Sequence, residues 1–167
     1  MKKFFFLLII ITVVVSCSEG DVVEDDVNFD GALQDCSNGN NFVIFKINDE
    51  GNQAISLNFS STNFELNSAP ADNVSQTLEL NANNNLIYRQ FDTPINGDEY
   101  FCASIPPGNI MVTRELISAN GTATISYSTE GNVTTRTITL SNITFLGTGV
   151  EIRQEVFNLG SYDITSP

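Results

Sequence analysis

The sequence contains no histidine and no tryptophan among its 167 residues. Histidine is the most frequent general base in enzymes and the most frequent metal ligand, so its absence excludes Ser–His–Asp and Cys–His catalytic arrangements. Motifs of the P-loop, GxGxxG, GxSxG and SxxK types do not occur either. The sequence therefore predicts a protein that is not an enzyme, has no catalytic residues and uses no cofactor. The lack of tryptophan also weakens a carbohydrate-binding interpretation.

Basic residues are scarce. Seven lysines and arginines stand against twenty acidic residues, and the formal net charge is −13. DNA and RNA binding depends on lysine and arginine contacts with phosphate, so this balance predicts no nucleic-acid partner. It also disfavours broad contact with anionic lipid headgroups. A high negative charge favours solubility and leaves cationic or neutral partners open.

The one long apolar run covers residues 4–15, which are apolar except for Thr12. Lys2 and Lys3 precede this run and Ser16 follows it, which is the arrangement of a secretory signal peptide. The run is too short for a transmembrane helix, which needs about 20 residues. Residues 1–16 are therefore predicted to be an export signal.

The signal ends in Val14, Val15, Ser16 and Cys17, which together resemble the lipobox of bacterial lipoproteins, with Val14 in place of the usual leucine. The resemblance implies cleavage before Cys17, a diacylglyceryl thioether on its sulfur and an N-linked acyl chain such as palmitate. Two or more acyl chains hold a protein stably on a membrane. The alternative is an ordinary secretory signal that happens to end in cysteine.

Residues 17–35 are predicted to be the lipidated cysteine and a flexible acidic tether. Residues 18–35 contain seven acids and no base, a composition that stays solvated and extended. Acids directly after the lipidated cysteine resemble the surface-export signal of lipoproteins in the Bacteroidota, and the chain resembles small flavobacterial lipoproteins, a likeness that implies no activity. The resemblance implies lipid anchorage in the outer membrane at the cell surface, with the periplasmic face as the alternative.

Two cysteines remain once Cys17 is assigned to lipid. An even pair in an exported chain indicates a disulfide, so Cys36 and Cys102 are predicted to be bonded. The bond would close a loop of about 67 residues, worth roughly 4 kcal/mol through chain entropy. A metal or redox pair is the alternative, but the sequence contains no CxxC motif.

Residues 36–167 are predicted to form a single antiparallel β-sandwich of about eight or nine strands, immunoglobulin-like in general architecture. Apolar and polar residues alternate in several segments, and turn residues recur about every ten positions. A lipocalin-like barrel is the second choice. Asn120-Gly121 predicts a hairpin. The apolar phase changes between Ile138 and Ile143, which predicts a β-bulge near Ser141 and Asn142.

Asp26, Asn28, Asp30 and Gly31 match positions 1, 3, 5 and 6 of a calcium-binding loop. Position 12 of that loop needs a bidentate glutamate, but Ser37 occupies it here. The match is therefore partial, and a plain solvated stretch is the favoured interpretation.

Recognition residues concentrate on loops that a rigid scaffold displays. The candidate loops are residues 61–74, 93–98, 105–109 and 147–149, and the tyrosines available for stacking on sugars are Tyr88, Tyr100, Tyr127 and Tyr162. Core or rim packing is the commoner role for any one tyrosine.

The sequence predicts a membrane-anchored, non-catalytic binding module at the cell envelope, whose protein or glycan partner it does not identify. One alternative is a barrel-type carrier of a small apolar ligand. Another is a glycan-active enzyme that uses a carboxylate pair such as Asp98 and Glu99.

Overall fold

The computed structural model describes residues 29–38, 41–59, 69–70 and 73–164. This part of the chain forms nine antiparallel strands and a short π-helical segment, Asp98–Cys102. The strands are β1 (Gln34–Asn38), β2 (Asn41–Ile47), β3 (Gln53–Phe59), β4 (Gln76–Glu79), β5 (Asn84–Phe91), β6 (Val112–Ser118), β7 (Thr122–Glu130), β8 (Val133–Gly147) and β9 (Val150–Ile164). The predicted all-β class and the predicted number of strands are confirmed.

The strands form one continuous sheet in the order β1-β2-β3-β5-β6-β8-β7-β4, with β9 paired to β8. The fifteen-residue β8 joins the two halves, because its first part pairs with β7 and its last part meets β6 at Ile117 and Leu146. The sheet is not closed into a barrel. This is consistent with the predicted sandwich, and the lipocalin-like alternative is wrong.

The core lies between the two halves of the sheet and follows the period of two that strands impose. Ile44, Ile55 and Leu86 from the first half and Ile125 and Ile138 from the second are fully buried and belong to one cluster. Full burial of such a side chain stabilises a fold by about 1.5–3 kcal/mol. The interior is therefore filled by side chains contributed from both halves.

The predicted hairpin at Asn120-Gly121 is wrong. Strand β6 pairs with β5 and β8, whereas β7 pairs with β8 and β4, so this turn carries the chain from one half of the sheet to the other. Gly121 has a φ of +92°, and a Cβ on it would lie 2.6 Å from the carbonyl oxygen of Ser141. Asn120 Oδ1 accepts a hydrogen bond from the Thr144 backbone N–H at 3.0 Å. The turn is thus seated directly against β8.

The predicted change of phase in β8 is confirmed by burial. Ile138 and Leu140 are buried before Asn142, and Ile143 and Phe145 are buried after it. The predicted β-bulge is not what changes the phase here. Asn142 adopts a left-handed conformation with φ +55°, and the pairing of β8 with β9 keeps the same register on both sides of it. The register shift of this strand pair lies between Ile138 and Thr139 instead.

The packed region begins upstream of the predicted boundary at Cys36. Phe29 and Leu33 are buried in the core, and β1 begins at Gln34. Lys46 Nζ donates a hydrogen bond to the Phe29 carbonyl oxygen at 3.0 Å. The end of the segment predicted to be a tether is therefore part of the fold, because apolar residues among its acids find places in the core.

Candidate functional site

The predicted disulfide is confirmed: Cys36 on β1 is bonded to Cys102, with their Cα atoms 5.6 Å apart. Cys102 ends the π-helical segment, which lies on the outer face of the first half of the sheet. Phe101, the residue before it, stacks on Phe45 of β2 with ring centroids 4.6 Å apart and an interplanar angle of 26°. The disulfide thus fixes an aromatic side chain against the sheet.

A groove of about 380 Å³ opens beside this aromatic pair, which is within the lower part of the size range of ligand pockets. We call it the asparagine-rimmed groove. Its lining residues are Asn41, Phe42, Val43, Asn58, Phe59, Asn83, Asn85, Ile87 and Phe101. They come from β2, β3, β5, the turn before β5 and the π-helical segment.

Strand register explains why these residues meet. Val43, Asn58 and Asn85 are direct cross-strand partners on β2, β3 and β5. Side chains alternate between the two faces of a strand, so these three face outward while Ile44, one position along β2, is buried in the core. The groove therefore opens mainly on the outward face, while Phe42 and Phe59 of its lining also contact the hydrophobic core.

Hydrogen bonds within the rim fix the orientation of its amides. Asn58 Nδ2 donates to Asn85 Oδ1 at 3.3 Å, and Asn85 Nδ2 donates to the Ala82 carbonyl oxygen at 3.3 Å. An amide group has two donor hydrogens and an acceptor oxygen with two lone pairs. Asn58 Nδ2 also lies within hydrogen-bonding distance of Ser56 Oγ and of the Ser56 and Asn85 carbonyl oxygens. The further hydrogen-bonding capacity of Asn58 therefore lies at its amide oxygen.

The described residues that line the groove carry no charge, although the chain has a net charge of −13. Burial or approach of a neutral partner there costs no desolvation of a lining charge. A smaller depression of about 180 Å³ beside the left-handed Asn142 differs in this respect, because Arg153 and Glu155 line it. The asparagine-rimmed groove is therefore the better candidate for a neutral ligand.

A second polar cluster lies inside the sandwich. Arg136 of β8 is fully buried, donates to the Tyr162 hydroxyl at 2.6 Å and forms an ion pair with Asp35 of β1 at 3.8 Å. Its guanidinium lies 5.4 Å from the ring centroids of both Tyr127 and Tyr162, a distance at which cation–π attraction operates. Burial raises the pKa of Tyr162, and Arg136 opposes that rise. The cluster joins β1 to the opposite half of the sheet.

The tyrosines predicted as stacking platforms all take part in packing. Tyr88 is buried in the core, and Tyr100 packs edge-on against Phe91 at 4.8 Å. Tyr127 and Tyr162 flank Arg136. The aromatic residues that line the groove are Phe42, Phe59 and Phe101, none of which the sequence analysis proposed as a stacking platform.

The predicted loops differ in burial and in position. Residues 61–68 and 71–72 of the first loop lie outside the described residues. Loop 93–98 packs inward through the buried Ile95, whereas the residues of loop 105–109 are mostly exposed. Gly147 ends β8, and Thr148 and Gly149 form the turn into β9. The described residues of these loops do not line the groove.

The calcium candidate and the carboxylate pair are not brought to the groove. Asp26 and Asn28 lie outside the described residues, and Asp30 is exposed. Asp98 and Glu99 are exposed on the π-helical segment and do not line the groove. Within the described ranges, no group of three or more acidic or cysteine side chains is placed to hold a metal ion.

The chain matches no protein-family model, and neither a curated protein nor a solved structure matches it significantly. The geometry of the groove combines an amide rim with an aromatic wall, and the described residues that line it are neutral. This arrangement is suited to binding.

Proposed function

We propose that this protein is a lipid-anchored, non-catalytic binding module of the bacterial outer membrane, and that the asparagine-rimmed groove is its binding surface. The observation that carries the proposal is the uncharged lining that the described residues give this groove in a strongly acidic chain. A neutral partner can enter such a groove without desolvating a charged side chain of that lining, which favours a role in recognition.

The filled interior supports a binding module over a carrier. The sheet is open, and side chains such as Ile44, Leu57 and Leu140 are fully buried between its halves. A carrier of a small apolar ligand encloses that ligand in a cavity, whereas a binding module presents an outer surface. The described groove is of the second kind.

The lining of the groove also supports a non-catalytic role. Glycoside cleavage in most families needs two carboxyl groups across the scissile bond, and the described residues that line the groove include none. The polar side chains among them are amides, which form hydrogen bonds but do not ionise near neutral pH.

Anchorage through Cys17 rests on the lipobox resemblance at the end of the export signal. In the described part of the chain, no helix is long and apolar enough to cross a membrane. Cys17→Ala should move the protein from the membrane fraction to the soluble fraction and remove incorporation of labelled fatty acid. Unchanged fractionation of this variant would contradict the anchor.

The binding surface is tested with the full-length lipidated protein displayed on neutral vesicles. Solubilised cell-envelope fractions are passed over the vesicles, and retained material is measured. Asn83→Asp introduces one charge at the exposed rim of the groove and should reduce retention. Asn132→Asp makes the same change at the exposed turn between β7 and β8 and should not. Equal retention by both variants, or none by the unaltered protein, would overturn the assignment of the groove.

A further inference from the structure

We infer that the ligand of the asparagine-rimmed groove is a neutral saccharide chain with its apolar ring face against Phe101 and its hydroxyls at the rim. This inference rests on the proposed binding role of the groove and names the chemical class of its ligand. Four features of the groove support it: the aromatic wall, the asparagine rim, the uncharged described lining and the apolar surface that continues from the groove.

The wall of the groove suits the apolar face of a sugar. A pyranose ring presents C–H groups on its faces and hydroxyls around its edge. Phe101 lines the groove while stacked on Phe45, and Tyr100 packs against it edge-on at 5.0 Å. Because these contacts and the neighbouring disulfide hold Phe101, binding against it costs little ordering of the side chain.

The rim suits hydroxyl groups. A hydroxyl donates one hydrogen bond and accepts others, and an amide side chain also does both. Amides line the rim at Asn41, Asn58, Asn83 and Asn85 and so suit hydroxyls. Asn58 offers its acceptor oxygen, because its Nδ2 is already bonded to Ser56 and Asn85. The bond between Asn58 and Asn85 holds two of these amides in position before the ligand arrives.

Charge selects neutral saccharides over acidic ones. The described residues that line the groove include no lysine or arginine to pair with a uronate or a sulfate. The chain as a whole carries a net charge of −13 and repels polyanions. An acidic glycan would meet that repulsion with no compensating contact.

The surface beyond the groove favours a chain over a single sugar. Ile87 of the groove is directly opposite Ile117 of β6, which is directly opposite Leu146 of β8. Ile117 is 39 % exposed and Leu146 is 57 % exposed. Two strand spacings extend this row about 10 Å from the groove, so further sugar rings can lie across it.

The test uses the full-length lipidated protein in detergent micelles, titrated with soluble hexasaccharides. The neutral probes are α-1,4- and β-1,4-linked glucose, β-1,4-linked mannose and β-1,4-linked xylose hexamers, and the acidic probe is a galacturonate hexamer. Binding is followed by calorimetry and by the side-chain amide signals of asparagine in nitrogen-15 spectra. At least one neutral hexamer should bind saturably and shift rim amides, its monomer should bind more weakly, and the acidic hexamer should not bind.

Two substitutions and two matched controls locate the site. Phe101→Leu, which keeps an apolar side chain but removes the ring, should weaken binding by about tenfold, and Asn83→Ala should weaken it roughly fivefold, as expected for one lost hydrogen bond. Phe157→Leu on β9, which changes a partly buried ring that does not line the groove, and Asn132→Ala in a distant exposed turn should change it less than twofold. Asn83 is exposed, so its variant remains informative if Phe101→Leu does not fold.

The outcomes separate this inference from the proposed function. Envelope material whose retention is sensitive to Asn83→Asp should lose binding after periodate treatment and keep it after proteinase K treatment. The reverse result, or no response to any neutral hexamer, would overturn the saccharide inference while the groove remains a binding surface. Equal binding of the acidic hexamer would also overturn it. Absence of both retention and saccharide binding would remove the proposed function as well.

Discussion

Replacing Gly121 with alanine should destabilise this fold far more than the same change at Gly131. Both glycines have positive φ values, +92° and +61°, and both lie in turns between strands. An added Cβ at Gly131 meets nothing within 4 Å, whereas one at Gly121 meets the carbonyl oxygens of Ser141 and Asn142 at 2.6 and 2.7 Å. The comparison therefore isolates the close approach of the crossing turn to β8.

The magnitude follows from two separable costs. A left-handed conformation costs a residue with a Cβ about 1–2 kcal/mol, and this cost destabilises both variants. Overpacking against neighbours that cannot move costs about 1–3 kcal/mol. This second cost applies only to Gly121→Ala, because the atoms opposite the new Cβ belong to the backbone. We expect a loss of roughly 1–2 kcal/mol for Gly131→Ala and roughly 2–5 kcal/mol for Gly121→Ala.

Urea denaturation of the oxidised protein gives both free energies of unfolding, provided that the slope with denaturant is unchanged. Thermal unfolding gives an independent comparison, in which each kcal/mol shifts the midpoint by roughly 2–4 °C for a chain of this size. Equal losses in the two variants would refute the reasoning, since a free two-residue hairpin at Asn120-Gly121 would make the two positions equivalent.

Three further results are expected. The free energy of unfolding should fall as the pH rises above about 10. Burial raises the pKa of Tyr162 in the folded state, so the unfolded chain releases the hydroxyl proton first. Tyr162→Phe should remove this loss in pH-dependent denaturation, and persistence of the loss would exclude Tyr162 as its source. The Cys36→Ser/Cys102→Ser double variant should lose about 4 kcal/mol of unfolding free energy, and non-reducing peptide mapping of the unaltered protein should find no free thiol at either position. Protease added to intact cells should digest the domain if it lies at the cell surface, and full protection would place it on the periplasmic face.

Local patterns in the sequence were sufficient to predict the all-β class, and the even number of remaining cysteines was sufficient to predict the disulfide. The alternation of Ile55, Leu57 and Phe59 with polar residues is typical of a strand, and β3 is that strand, although Ser56 on its polar face is buried as well. Gly131 and Asn132 form the turn that joins β7 to β8. These features depend on side chains that are close along the chain, so one sequence carries the required information.

Pairing between distant segments was not accessible in the same way. Asn120-Gly121 signals a turn with positive φ, but the signal is the same whether the next strand pairs with the previous one or crosses to the other half of the sheet. Tertiary packing decides between these outcomes, and here the crossing turn is held by the Thr144 N–H and by the close contact with Ser141. The predicted boundary of the folded region at Cys36 was too late, because the acidic composition of residues 18–35 was given more weight than the apolar Phe29 and Leu33 within it.

The groove was missed for a related reason. Its central residues, Val43, Asn58 and Asn85, are 15 and 27 positions apart and meet only through the registers of β2 with β3 and of β3 with β5. In the sequence, Asn85 belongs to an asparagine-rich turn and Asn58 to the polar face of a strand. Neither setting marks a binding site. The outward pairing of two asparagines becomes visible only when β3 and β5, which are separated in the chain by β4, are known to be neighbours.

The disulfide connects the first strand of the fold to the groove, and under the proposed function this gives the fold a functional requirement. Cys36 lies on β1, just after the segment that Phe29 and Asp35 fasten to the sandwich through the core and through Arg136. Cys102 directly follows Phe101, which lines the groove. Reduction would therefore release Phe101 from β1, while the ion pair and the buried Phe29 would still hold that strand. If the groove is the binding surface, ligand binding should depend on an oxidising compartment more than the attachment of β1 to the sandwich does.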